Sequence, residues 1–183
     1  MASVLVPLAQ GCEELEAVTV VDLLRRAGIN VVTAGLDAQP VKASRGMTLL
    51  PDMTLDMALQ QRFDMVVLPG GLPGADHLGD DQRVIRLLQE MAASESYIAA
   101  ICAAPRVLAR AGLLDGKRAT SYPGALDIEA VPGIEYLETA VVTDGRVITS
   151  RGPGTAMDFA LVLIETLLGK TTRDEVEAGL QRG

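Results

Sequence analysis

Four short apolar runs limit what this chain can fold into: residues 4–8, 30–34, 64–68 and 97–101. Each is too short for a core helix and lacks polar alternation, so each reads as a strand covered on both faces, as in a parallel sheet. Helical spacing fills the gaps between them. From an acid-rich start at Glu13-Glu14-Leu15-Glu16, the residues Leu15, Val18, Val21 and Leu24 recur up to Arg26, and Gly28 is a natural stop. Val84, Leu87, Leu88 and Met91 share one face of a helix expected over 80–93. Strand alternating with helix predicts an α/β layered sheet with helices on both faces.

The rest of the chain is read in the same way. Short strands are expected at 41–43, 47–50 and 118–121, a short helix at 55–61 and a loop at 72–79. Residues 136–143 and 146–150 form an expected hairpin turning at Asp144-Gly145. A long apolar helix is expected after Thr155, which stands in capping-box spacing with Asp158, and a last helix at 173–180.

The run 97–101 leads straight into Cys102-Ala103-Ala104-Pro105. Strand, sharp turn and helix with a thiol at the turn describe a nucleophile elbow with Cys in place of Ser. Ala100, Ala103 and Ala104 leave room around the sulfur, and Pro105 suits the first turn of a helix. A helix N-terminus lowers a thiol pKa, but it supplies only about 0.3–1 kcal/mol. Moving a thiol from about 8.5 to about 5.5 takes about 4 kcal/mol, so hydrogen bonds to sulfur must supply most of it. In open α/β sheets the site lies beyond the carboxyl ends of the strands. That rule collects Cys12 to Glu16, Gly70-Gly71, Cys102-Ala103 and Tyr122.

A chain of 183 residues suits one domain, 1–183, and at this size about 70% of the unfolded surface can be buried without a metal or disulfide staple. Two cysteines far apart, Cys12 and Cys102, make neither a disulfide framework nor a metal site. A net charge of −8 argues against a nucleic-acid partner. No run approaches the roughly 20 apolar residues of a membrane span, and the N-terminal residues lack the pattern of a secretory signal, so a cytoplasmic protein is expected.

Six blocks in order resemble the ThiJ/PfpI superfamily, within it the branch of Parkinson disease protein 7. They are Glu13-Glu14-Leu15-Glu16, Arg25-Arg26-Ala27-Gly28, Ser44-Arg45, Val67-Leu68-Pro69-Gly70-Gly71, the stretch Ala99 to Pro105, and Thr149-Ser150-Arg151-Gly152-Pro153-Gly154-Thr155. The resemblance covers nearly the whole chain. It implies a flavodoxin-like three-layer sandwich, usually a homodimer, that works without a cofactor. It makes Cys102 the reactive thiol and Glu16 the carboxylic acid beside it. The N–H groups after Gly70, those of Gly71 and Ala103, become an anion-stabilising hole. Arg26 and Arg45 match arginines that lie near the thiol across the dimer interface.

One departure matters. Where animal members carry histidine, this chain has Thr120-Ser121-Tyr122-Pro123, and its only histidine is His77. Tyr122 becomes an auxiliary hydrogen-bond donor, as tyrosine titrates near 10 and is a poor base at neutral pH. Cys12 is a further auxiliary, four residues before Glu16. A carboxylate at Glu16 would repel a thiolate, so Glu16 is expected to be protonated when it supports one. The function the resemblance implies is that of a stress-response protein with glyoxalase- or deglycase-type chemistry on small 2-oxoaldehydes or their adducts, weak here because the histidine is missing. The alternative is a redox sensor or protective, chaperone-like protein in which Cys102 oxidises to a sulfinic acid. A peptidase-like hydrolase fits less well, because Ala103 stands where those members carry histidine. Class-I glutamine amidotransferases need glycines beside the cysteine and a downstream His-x-Glu, which are absent.

Overall fold

The computed structural model of the chain describes residues 1–182. The first apolar run is β1 (Ser3–Leu8), followed by α1 (Glu14–Arg26) and β2 (Asn30–Gly35). A small excursion holds β3 (Val41–Lys42) and β4 (Thr48–Leu49), paired with each other. Then come β5 (Met53–Thr54), α2 (Leu55–Ala58) and β6 (Met65–Leu68). Two helices, α3 (Gly74–Asp80) and α4 (Gln82–Ala93), lead to β7 (Tyr97–Ile101) and α5 (Pro105–Arg110). The last part contains β8 (Arg118–Ala119), β9 (Glu135–Tyr136), β10 (Val141–Asp144) and β11 (Val147–Ser150), then α6 (Ala156–Leu168) and α7 (Lys170–Gly179).

Seven strands form the main sheet in the order β10-β11-β7-β6-β1-β2-β5. All its neighbours are parallel except β10 with β11. The strands carry apolar side chains on both faces because both are covered. Val4 and Val6 of β1, with Met65 and Val67 of β6, pack into the core beneath α1 and α6. Leu5, Val66 and Leu68 pack into the opposite core with Leu78, Leu88 and Leu108 of α3, α4 and α5. This is the expected flavodoxin-like sandwich.

Several local expectations are corrected. Residues 118–121 do not extend the main sheet; β8 pairs with β9 in a separate two-stranded sheet. Residues 72–79 are not a loop, since most of them form α3. The hairpin turns at Gly145-Arg146, because Asp144 is already paired with Val147. Thr155 and Asp158 form no capping box: the Thr155 hydroxyl lies 2.7 Å from Ser150 Oγ, and Asp158 pairs with Arg182.

The face of α1 is the most consequential difference. Its buried residues are Glu14, Glu16, Ala17, Val20, Leu23 and Leu24. Leu15 and Val18, from the stripe read off the sequence, are 49% and 46% exposed. α1 thus presents one face to the core and a second apolar stripe to the outside.

Candidate active site

β1, β6 and β7 lie side by side and end together, which brings the loops after Leu8, Leu68 and Ile101 to one place. After β7 the chain turns at Cys102, whose φ of 63° lies in the left-handed region. A non-glycine residue there costs about 1–3 kcal/mol and persists only where its surroundings impose it. Here they do: the Cys102 N–H donates to Ser150 O (2.9 Å), and its carbonyl accepts from the Tyr122 N–H (2.8 Å). Gly70 explains how β6 ends so close to this turn. A Cβ there would stand 2.6 Å from Cys102 Cβ, so no larger residue fits without moving the elbow.

Glu16 comes from the first turn of α1 and is fully buried. Its Oε2 accepts from the Gly70 N–H at 2.8 Å. Its Oε1 is buried without a hydrogen-bond partner, and the Cys102 thiol is the polar group that its carboxyl faces. Burial pushes Glu16 up to about 7. With Oε2 already accepting, Oε1 is the carboxyl oxygen left toward the sulfur.

Cys102 is 9% exposed, and its sulfur faces the N–H groups of Gly71 and Ala103, which favour the thiolate. They do not win alone. Burial first, and then the charge of Glu16, push the thiol up to about 12. The expected help from the helix is slight, because α5 has six residues and is capped at Ala104, beyond the cysteine. The charge on Glu16 therefore bears directly on the Cys102 thiol.

A cavity of about 360 Å³ opens over the sulfur. Glu13, Ser44 and Arg45 supply its polar wall; Leu72, Tyr122, Ala125 and Pro153 supply its apolar wall. Larger cavities of about 510 and 540 Å³ border the amino-terminal ends of strands and contain no cysteine. Of the sequence-derived candidates, Cys102, Glu16, Gly70, Gly71, Ala103, Arg45 and Tyr122 converge here. Arg26 does not line this cavity, and within the single chain it pairs with Asp22 at 2.7 Å. Cys12 is fully buried, outside the cavity lining, with its thiol pushed up to about 12 by burial and by Glu14. His77 sits in α3, its Nδ1 2.9 Å from Gln10 O, beside a different cavity.

Glu14 is the residue that sequence reasoning missed. Its carboxylate accepts from the Arg45 N–H (2.9 Å), the Met47 N–H (3.3 Å) and the Ser44 hydroxyl (3.1 Å). These bonds strap residues 44–47 against α1 and so hold Ser44 and Arg45 at the cavity rim. They also keep its carboxyl below the usual range.

The family model described as "DJ-1/PfpI family" matches residues 2–166. The chain belongs to the DJ-1/PfpI family. It is 48% identical over 180 residues to Protein dj-1beta of Drosophila melanogaster, covering 97% of this chain and 96% of that one. The crystal structure of that protein superposes with a TM-score of 0.94, covering 100% of this chain and 98% of the other at 47% identity. The Parkinson disease protein 7 homolog of Danio rerio is 45% identical over 179 residues, covering 96% and 95% of the two chains. The protein named glutathione-independent glyoxalase DJR-1.2, from Caenorhabditis elegans, is 39% identical over 168 residues, covering 92% and 89%.

Proposed function

We propose that this DJ-1/PfpI protein is a stress-response enzyme that converts 2-oxoaldehydes to 2-hydroxy acids through Cys102 and Glu16. The observation that carries this is the buried carboxyl of Glu16, with an unpartnered oxygen, facing a thiol that also faces two N–H donors. The relative named a glutathione-independent glyoxalase supports it.

The chemistry balances with water alone. Cys102 sulfur attacks the aldehyde carbon while its proton passes to Glu16. The C=O pair moves to oxygen, which the Gly71 and Ala103 N–H groups stabilise before it is protonated. Glu16 then carries the hydrogen of that carbon, as a proton, to the neighbouring carbonyl carbon through an enediol. The former aldehyde carbon is now oxidised to a thioester and its neighbour reduced to a carbinol. Water cleaves the thioester and returns the thiol. Tyr122 adds a hydrogen bond to oxygen, and Arg45 places a cation at the rim.

The same hole favours a second reading, redox sensing. Peroxide would add one oxygen to the thiolate and release water, and a second peroxide would give a sulfinate whose oxygens take the same N–H donors. One experiment tests both readings: intact mass of the protein after separate exposure to methylglyoxal and to hydrogen peroxide, with lactate assayed in parallel. We expect lactate from wild type, none from Cys102→Ala or Glu16→Leu, and two added oxygens on Cys102 before any on Cys12. Equal lactate formation by Cys102→Ala would sink the enzymatic reading. Oxidation of Cys12 ahead of Cys102 would sink the sensor reading.

A further inference from the structure

Tyr122 and Leu72 are each 53% exposed, and both line the cavity that holds the nucleophile. Single exposed apolar side chains need no explanation, but two lining one cavity beside a cysteine offer a binding surface. The backbone of Tyr122 is tied to the elbow. Its N–H donates to the carbonyl of Cys102 itself, and its own carbonyl accepts from the Ala125 N–H (2.9 Å) and the Ser121 hydroxyl (3.0 Å). The ring also lies on Gly152: a Cβ there would be 3.3 Å from Cδ2. The elbow's backbone thus carries Tyr122 into the same cavity as the sulfur, with the ring beside Gly152. The ring is half exposed and lines the cavity, so a flat apolar group bound at the sulfur can stack on it.

We propose that Tyr122 is a specificity-determining residue, and that the site prefers 2-oxoaldehydes whose second substituent is an aryl or similarly flat apolar group over those carrying a methyl. This inference rests on the 2-oxoaldehyde reading above and names its substrate class. The carbonyl carbon meets Cys102, and the substituent covers the Tyr122 ring and Leu72.

The test compares phenylglyoxal with methylglyoxal as substrates of wild type, Tyr122→Ala and Tyr122→Phe. Wild type favours phenylglyoxal; the ratio of the two kcat/KM values falls about tenfold in Tyr122→Ala and stays within about twofold in Tyr122→Phe, the size expected for one aromatic contact. A ratio unmoved by Tyr122→Ala overturns the proposal. A second measurement needs no turnover: the rates at which iodoacetanilide and iodoacetamide alkylate Cys102. In both, sulfur displaces iodide, a C–S bond forms and the thiol proton is lost to Glu16 or solvent. The aryl-to-amide rate ratio must fall in Tyr122→Ala and hold in Tyr122→Phe. An unchanged ratio overturns the specificity role. Loss of lactate formation with the alkylation pattern intact overturns only the enzymatic reading.

Discussion

Glu16 and Cys102 titrate as a pair, and the order of their steps decides reactivity. Burial pushes both groups up, Glu16 to about 7 and the Cys102 thiol to about 12, so the first proton leaves the pair from the carboxyl. Between those steps the pair carries one negative charge, held mainly on the Glu16 carboxylate, and the thiolate forms by passing the thiol proton to it. Cys102 alkylation should therefore rise in a step near pH 7, although an isolated buried thiol would wait for far higher pH. Glu16→Leu removes the proton acceptor, so the step should move up beyond the ordinary thiol range; Glu16→Gln, which keeps an N–H donor, should recover part of the reactivity. An alkylation profile unchanged in Glu16→Leu would remove this account. The stability linkage has a definite sign. The Glu16 pKa is raised on folding from 4.5, so its contribution is full below about pH 4.5 and is lost as pH rises through about 7. The chemistry and the fold make opposite demands on this carboxyl.

The elements differ in how far the sequence revealed them. The central strands were legible because burial on both faces leaves an unbroken apolar run, and Cys102 was legible because strand, thiol and proline stand in direct succession. α1 was harder. It carries two apolar faces, and the inward one includes the ionisable Glu14 and Glu16, so the cleaner stripe of Leu15, Val18 and Val21 masked the true core face. α3 was hidden by its glycines. Gly74 is there for close approach, since a Cβ would stand 2.5 Å from Cys12 N, and glycine used for packing looks like a helix breaker in sequence. The role of Glu14 was not legible at all, because its partners lie about thirty residues away. That strap can be tested. Glu14→Ala should destabilise the protein by about 1–3 kcal/mol in urea titration, the usual cost of removing a hydrogen-bonded partner, and Glu14→Gln should restore part of it. The Glu14 pKa is lowered on folding, so its contribution is present above its unfolded value of 4.5 and fades as pH falls below it. A Glu14→Ala midpoint equal to wild type at neutral pH would show that residues 44–47 hold themselves in place.

The outward stripe of α1 belongs to the behaviour of the whole molecule. Val18 continues toward Leu50, 81% exposed, across a cavity of about 280 Å³ lined by Val18, Val21, Leu49 and Leu50, with Asp22, Arg25 and Asp52 as its polar side. Monomers rarely expose contiguous apolar surface of this kind unless a partner covers it. We propose that a second copy of the chain does, as the resemblance to the ThiJ/PfpI superfamily implies. A twofold contact would place the same patch on itself. It would also give Arg26 and Arg45 a role near the thiol. Arg45 already reaches the cavity rim within its own chain, whereas Arg26 sits at the end of α1 in an exposed ion pair with Asp22, worth roughly 0–1 kcal/mol. A charge introduced into the patch should be costly only if the patch is covered. Light scattering at micromolar concentration should give a dimer for wild type and a folded monomer for Val18→Asp with Leu50→Glu. The monomer should also lose activity toward 2-oxoaldehydes if the partner's arginines complete the site. A wild-type monomer in this measurement would refute the assembly and leave the apolar stripe of α1 without an occupant.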